Sequence, residues 1–208
     1  VIIIVHGINT EVEDGEWMDE LGAYLDKEIQ TRGLKATVLI HRYNPFFGFL
    51  RIAQTISSHW RKRQVRKFQQ YIAWVRRTYG PQVNIHVIGH SFGCYKTAYA
   101  MTLDGDQPKV FYHTVIFFGP AVSSRFKPSD AEGHFQQMHI YFSRGDRVIA
   151  ISPFGNAGYV GPVYADGVKL VGHNETPLDH CDYFKAPHFE KYKTEVADAL
   201  FSTKKETT

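Results

Sequence analysis

Short runs of apolar, β-branched residues recur along the chain and alternate with longer stretches that have a helical pattern. Runs of this kind, bounded by turn residues, are typical of β-strands. Because most of the runs are apolar almost throughout, they indicate strands that are covered on both faces, as in a parallel sheet. The predicted strands are Val1–Val5, Ala36–His41, Val83–Ile88, His113–Phe118, Met138–Ser143 and Gly167–Gly172.

Helical patterns fill the stretches between the predicted strands. Apolar residues recur at steps of three or four positions after the first strand and again after the second. The two stripes are Trp17, Leu21, Leu25 and Ile29, which Gly33 ends, and Val65, Phe68, Ile72 and Val75, which Gly80 and Pro81 end. Two further helices are predicted, one directly after Ser91 and one from Phe189 to Leu200. Strands that alternate with helices predict an α/β fold with a mainly parallel sheet of about six strands.

The sequence indicates a single domain. It has 208 residues, without an internal repeat or a linker-like segment, which predicts one domain over residues 1–201. The polar residues 202–208 are expected to form a frayed tail. The long stretch from Ser143 to Gly167 is rich in glycine and proline and is interpreted as a functional loop within the domain.

Composition narrows the class of protein only slightly. Hydrophobic residues make up 43% of the chain, enough for a packed core, and the net charge of +3 is too small to imply nucleic-acid binding. No apolar run is long enough to span a membrane, and Val1–Val5 is too short for the core of a signal peptide. The two cysteines do not form a disulfide framework, which favours a reducing compartment such as the cytoplasm.

The predicted third strand is followed by a serine between two glycines, in Gly89–Gly93 (GHSFG). The carboxyl ends of parallel strands face the ligand crevice, so Ser91 is expected at that crevice. Gly89 and Gly93 remove side chains that would collide in a sharp turn, and the following helix directs its N–H groups towards the same point. This strand–turn–helix context is that of a nucleophile elbow. The alternative is a tight turn whose serine only caps the helix.

At these residues the chain resembles the α/β-hydrolase family in its small lipase and esterase form. The resemblance is carried by Val5–Asn9 (VHGIN), Gly89–Gly93 (GHSFG) and Asp179–Phe184 (DHCDYF), and it spans nearly the whole chain. It implies a mostly parallel sheet flanked by helices, and a nucleophile, an acid and a histidine in that chain order. It also implies a minimal form without the two antiparallel leading strands of longer members. The implied chemistry needs no metal and no organic cofactor.

A serine hydroxyl needs a neighbouring base to become a good nucleophile, and the chain has 11 histidines. His86 lies within a predicted strand and His90 is the variable residue of the elbow, so neither is expected to point back at Ser91. The resemblance places the base in the loop after the last strand, shortly before an aromatic residue. His180 matches that pattern better than His173, which is the alternative.

The resemblance also favours Asp146 as the acid that orients the histidine, because Asp146 follows the predicted fifth strand. Two other aspartates are less well placed with respect to the strands, and two adjoin His180, where ring-to-carboxylate geometry is rarely suitable. These four are Asp130, Asp166, Asp179 and Asp182. Alternatively, Asp146 is a turn residue of an Arg-Gly-Asp-Arg surface loop.

Acyl transfer also needs hydrogen-bond donors for the oxyanion. The N–H of Phe92, directly after the serine, is the first candidate, and the resemblance implies Ile8 as the second, with Asn9 as the alternative. Residues Tyr43–Leu50 cluster three phenylalanines after the second strand and are expected to form a substrate wall, a small lid or plain packing. The substrate-binding candidates are Asn9, Tyr43, Phe46 and Phe47.

A basic run lies at the start of the predicted second helix. Its charged side chains cannot share the buried face of the apolar stripe, so they are expected to form a solvated face. The alternative is peripheral contact with an anionic membrane or another polyanion. The residues concerned are Arg61, Lys62, Arg63, Arg66 and Lys67.

These features predict a serine hydrolase that cleaves small-molecule or lipid carboxylic esters through Ser91, His180, Asp146 and a covalent acyl-enzyme. A thioesterase, a phospholipase and an acyltransferase are the alternatives that use the same three residues. A different class of function is a non-catalytic member of the fold that binds a lipid or a partner.

Overall fold

The computed structural model describes residues 1–7, 16–42, 57–102, 110–126, 133–162 and 170–201. Within these ranges six strands form one sheet in the order β2-β1-β3-β4-β5-β6, and every neighbouring pair is parallel. The strands are β1 (Ile2–Val5), β2 (Val38–His41), β3 (His86–His90), β4 (Tyr112–Phe118), β5 (Phe135–Phe142) and β6 (Leu170–Asn174). The prediction of a parallel α/β sheet is therefore confirmed.

Helices cover both faces of the sheet. They are α1 (Glu16–Thr31), α2 (Ser58–Tyr79), α3 (Phe92–Thr102), α4 (Arg147–Ala150), α5 (Ala157–Val160) and α6 (His188–Phe201), with a 3₁₀ helix at Asp182–Phe184. The stripes of α2 and α3 pack on one face, against residues such as Ile3 and Val87. Those of α1 and α6 pack on the other, against Ile4 and Ile88. Successive side chains along each strand therefore point alternately into two separate hydrophobic cores, one on each face of the sheet.

Ion pairs tie the two helices of the α1/α6 face together. The ammonium group of Lys193 on α6 lies 2.7 Å from carboxylate oxygens of both Glu20 on α1 and Glu190 on its own helix. Lys193 itself is buried, so both carboxylates compensate a cation that has lost most of its water.

Several strand boundaries differ from the prediction by one to three residues, and two of these differences affect residues of the candidate site. β3 continues to His90, two residues beyond the apolar run, because parallel pairing with Phe118 on β4 extends that far. β6 continues to Asn174, two residues beyond the predicted end at Gly172, so His173 lies within a strand and not in the loop after it. Residues 167–169 of the predicted strand lie outside the described residues.

The segment after β5 also differs from the prediction. The part of Ser143–Gly167 that the structure describes contains the short helices α4 and α5, where a loop was expected. Each helix has four residues, too few to leave a periodic signal in the sequence.

None of the helices in the described ranges combines the length and the apolar character needed to cross a bilayer.

Candidate active site

The turn at Ser91 is held by main-chain hydrogen bonds. The Ser91 N–H donates to the carbonyl of Phe118 (3.1 Å), and the Ala121 N–H donates to the carbonyl of Ser91 (3.3 Å). Ser91 has φ 53°, and no other non-glycine residue of the described ranges has a positive φ. Such a conformation costs about 1–3 kcal/mol and concentrates at functional sites. The strand β3, the turn and α3 therefore have the strand–turn–helix geometry that the sequence predicted, with a strained serine at the turn.

Gly93 is required by a close approach of two backbones. A Cβ on residue 93 would collide with the carbonyl oxygen of Val5 and would lie 2.8 Å from that of His6. The first turn of α3 therefore packs directly against the end of β1, a contact that any side chain at position 93 would prevent.

Asp146 lies just beyond β5, and its carboxylate is fully buried. Its Oδ1 accepts a hydrogen bond from the N–H of Ile149 (2.9 Å), which caps the N-terminus of α4. Its Oδ2 accepts a hydrogen bond from Nδ1 of His180 (2.8 Å). One side chain thus fixes the start of α4 and binds the imidazole.

The hydrogen bond to Asp146 determines the tautomer of His180. A carboxylate only accepts, so Nδ1 of His180 carries the proton and Nε2 of the neutral ring is left with a lone pair. The pair packs closely on Gly119, which has φ 48°. A Cβ on Gly119 would lie 3.0 Å from Oδ2 of Asp146 and 3.2 Å from Nδ1 of His180. Because Gly119 directly follows the residue that binds the Ser91 N–H, the serine turn and the acid–base pair are neighbours.

The loop that carries His180 is fixed by buried polar contacts. The hydroxyl of Ser143 donates to the carbonyl of Leu178 (2.6 Å) and accepts from the N–H of Gly145 (3.0 Å). The ring of His90 bonds the carbonyl of His180 itself (3.1 Å). Since a carbonyl only accepts, His90 Nε2 carries the proton in this contact.

His90 is a site residue that the sequence analysis missed. Its ring is buried and its centroid lies 4.6 Å from that of His180. Trp17 and Phe184, stacked on each other at 3.9 Å, contact the His90 ring from the α1 side. Burial, followed by the repulsion that a protonated His180 would exert on a second cation, holds the pKa of His90 well below its ordinary value. His90 is therefore a neutral hydrogen-bond donor. The sequence signal that could have indicated His90 is its position at the end of an apolar strand.

The hydroxyl of Ser91 makes no hydrogen bond with any other described residue, so its contact with His180 belongs to the proposal below. Phe92 is the first residue of α3, which places its N–H at the positive end of the helix dipole next to Ser91. The other predicted site residues, Ile8, Asn9, Tyr43, Phe46 and Phe47, lie outside the described residues.

The alternative base and the neighbouring aspartates have other contacts. His173 stacks on Tyr141 of β5, with ring centroids 4.1 Å apart. Asp182 accepts a hydrogen bond from the N–H of Asp179 (2.8 Å), and this bond, followed by Lys185, lowers the pKa of Asp182. Neither aspartate is a partner of the His180 ring in the hydrogen bonds of the described residues.

An aromatic cluster extends from the elbow along α3. Phe92 stacks on Tyr95 (5.1 Å between centroids) and on Trp60 of α2 (5.4 Å), and it also contacts Phe154 (5.4 Å). The guanidinium carbon of Arg61 lies 5.6 Å from the Phe154 ring. The start of α2 therefore contacts the segment between α4 and α5 beside the serine.

Comparison with known proteins identifies the fold. No model of a protein family matches this chain, and no curated protein matches it. Among solved structures, an esterase from Pyrobaculum calidifontis is similar with a TM-score of 0.61 and 16% identity, over 96% of this chain and 75% of that one. An esterase from Pyrococcus furiosus is similar with a TM-score of 0.56 and 14% identity, over 96% and 81% of the two chains. An alpha-beta serine hydrolase homologue from Coxiella burnetii is similar with a TM-score of 0.52 and 16% identity, over 96% and 85%. The chain therefore has the α/β-hydrolase fold.

Proposed function

We propose that this protein is a serine hydrolase that cleaves carboxylic esters, with Ser91 as nucleophile, His180 as base and Asp146 as acid. The observation that carries the proposal is the buried hydrogen bond of 2.8 Å between His180 Nδ1 and Asp146 Oδ2, beside a serine with φ 53°. A strained serine at a helix N-terminus, next to a histidine whose Nε2 can accept a proton, is the arrangement that activates a hydroxyl.

In the proposed reaction the Ser91 hydroxyl turns about its Cα–Cβ bond towards Nε2 of His180. Its oxygen attacks the ester carbonyl while His180 takes the proton, which gives a tetrahedral oxyanion. The N–H of Phe92 donates to that oxyanion, and an N–H from the loop after β1 is the expected second donor. The imidazolium then protonates the leaving alcohol, and the acyl group remains on Ser91. His180 then takes a proton from water, whose oxygen attacks the acyl carbon. The bond between the acyl carbon and Ser91 Oγ breaks, the imidazolium returns the proton to Oγ, and the acid leaves.

Asp146 keeps His180 in the reactive tautomer and stabilises the imidazolium formed during each proton transfer. Because both carboxylate oxygens are bonded, the orientation of the ring is set before substrate binds. An ester is proposed over a thioester or an amide since two of the similar structures are described as esterases.

The decisive test is Ser91→Ala, assayed with p-nitrophenyl butyrate. Loss of a nucleophile of this kind lowers kcat by about 10⁴-fold or more. A fluorophosphonate should add one adduct to the intact protein and none to the variant. The matched control is Ser58→Ala, which changes an exposed serine at the start of α2 and should keep full activity and labelling. Wild-type turnover by a folded Ser91→Ala protein would refute the proposed function.

A further inference from the structure

Large apolar side chains protrude from the segment that follows Asp146. Ile151 is 86% exposed and Val148 is 53% exposed, and Val160 on α5 is also exposed. Ile149, between the first two, is only 1% exposed and anchors α4 to the core. The helix is thus fixed on one side and presents an apolar edge to solvent on the other.

Exposed basic side chains lie on this segment and on the first turns of α2, which contact the segment through Arg61. Arg144 and Arg147 are exposed on the same segment. Arg61, whose guanidinium lies over the Phe154 ring, brings the first turns of α2 next to it, and Lys62 and Arg63 follow as exposed residues. We define these eight residues as the docking face: Val148, Ile151, Val160, Arg61, Lys62, Arg63, Arg144 and Arg147.

The charges of the docking face are not neutralised by the described part of the protein. None of its five arginines and lysines forms an ion pair with another described residue, and the first turn of α2 carries no acidic residue. Cations at the N-terminus of a helix oppose the helix dipole and reduce stability. On the α1/α6 face, by contrast, Arg32, Arg42 and Lys193 each pair with a carboxylate. Basic residues at a helix N-terminus without an acidic partner among the described residues form a positively charged surface that is complementary to an external anion.

We propose that the docking face binds the surface of an anionic phospholipid bilayer. In this arrangement Ile151 and Val148 enter the boundary between headgroups and acyl chains, and the surrounding basic side chains lie at the level of the lipid phosphates. A nucleic acid would use the charges but would leave Ile151 in water, so the protruding apolar residues favour the bilayer. The contact would hold Asp146, at the start of α4, close to the membrane.

This inference does not depend on the proposed function, and its test separates the two. Full-length Ser91→Ala protein is sedimented with vesicles of phosphatidylcholine alone and with vesicles that also contain phosphatidylserine. Binding is expected only to the anionic vesicles and should weaken as salt is raised, because salt screens the charges. The use of the Ser91→Ala background keeps the lipid intact whatever the chemistry of the site.

Two variants separate the charged and the apolar contributions. Arg63→Glu and Ile151→Asn should each lower the partition coefficient roughly tenfold. Their matched controls are Arg77→Glu, at the exposed far end of the same helix, and Leu34→Asn, an exposed apolar residue after α1. Both controls should bind as the parent does. In the Ser91 background all four should hydrolyse a soluble ester at the parental rate.

Absence of binding to the anionic vesicles would overturn the inference, as would equal losses in the variants and their controls. If DNA releases the protein from the anionic vesicles and Ile151→Asn does not weaken its binding to them, the protein is a general polyanion binder. That result would also overturn the bilayer proposal. Circular dichroism of each variant checks that a loss of binding is not a loss of fold.

Discussion

Two halves of the candidate site are held in place by different means. The turn at Ser91 is positioned by main-chain hydrogen bonds to β4 and by a backbone contact at Gly93. The pair of His180 and Asp146 is positioned by side chains, among them Ser143 and His90. The main-chain hydrogen bonds that hold the Ser91 turn depend on the fold as a whole. The side-chain contacts that hold His180 and Asp146 can be removed one at a time by substitution. Damage to the first half should therefore appear as lost stability, and damage to the second as lost turnover in a folded protein.

Within the half of the site that side chains position, the largest expected effect is that of Asp146→Asn on turnover. Asparagine can still cap α4, so the thermal unfolding midpoint should change little. The amide would stabilise the wrong tautomer of His180, and kcat should fall about 10⁴-fold. Asp182→Asn is the matched control, since Asp182 also caps a turn beside His180. Equal losses of kcat in the two variants would contradict the assignment of the acid.

Gly93→Ala tests the main-chain half. The added Cβ would collide with the carbonyl of Val5, and overpacking of this kind costs about 1–3 kcal/mol of unfolding free energy. Gly22→Ala is the control, because a Cβ there makes only ordinary contacts, the nearest at 3.6 Å. Urea denaturation of both proteins measures the difference. A Gly93→Ala protein as stable as its control would show that the elbow tolerates a side chain.

His90→Phe tests a positioning residue of the side-chain half. Phenylalanine keeps the buried ring but removes the donor to the His180 carbonyl, so kcat should fall roughly tenfold while KM is unchanged. His90→Gln keeps an N–H group near the same position and should restore part of kcat. A purely structural role would instead lower stability in both variants without separating their kcat values.

A further effect concerns the stability of the fold at acid pH, independently of the catalytic residues. Burial, followed by the charges of Lys96 and His6, lowers the pKa of His41 to about 3. The unfolded chain then takes up the proton first as the pH falls. The contribution of neutral His41 to the free energy of unfolding is complete above the ordinary pKa of about 6.5. It is lost as the pH falls from there towards the pKa of the folded protein, by at most about 1.4 kcal/mol per pH unit. Urea midpoints at about pH 7 and about pH 5 should differ less in His41→Leu than in the parent. His59→Leu, at an exposed position of α2, should behave as the parent does. An unchanged pH dependence in His41→Leu would show that another group titrates.

The sequence predicted most of the fold because parallel strands covered on both faces leave nearly continuous apolar runs. It failed where a strand end is polar, as at His90, since backbone pairing continues after the apolar run stops. It also failed at α4 and α5, which are too short for a period to be visible.

Only the part of the candidate site that short sequence motifs indicate could be predicted from the sequence. Ser91 was predicted from the strand–turn–helix motif, and Asp146 and His180 from the resemblance to α/β hydrolases. The position of His90 at the end of an apolar strand could mark it as a candidate. Its contact with the His180 carbonyl joins residues 90 positions apart and depends on side-chain packing, so the sequence does not predict that partner. The hydroxyl of Ser143 was missed for the same reason, because its partner at Leu178 is 35 positions away. The roles of Ile8, Asn9, Tyr43, Phe46 and Phe47 remain predictions.

Asp146 gives the molecule a mechanical link from its surface to its interior. One carboxylate oxygen is bound to the start of α4 and the other to the imidazole of His180. A displacement of α4 would therefore tilt that ring from the surface. Under the proposed function, an inhibitor that acts through α4 need not resemble the ester substrate.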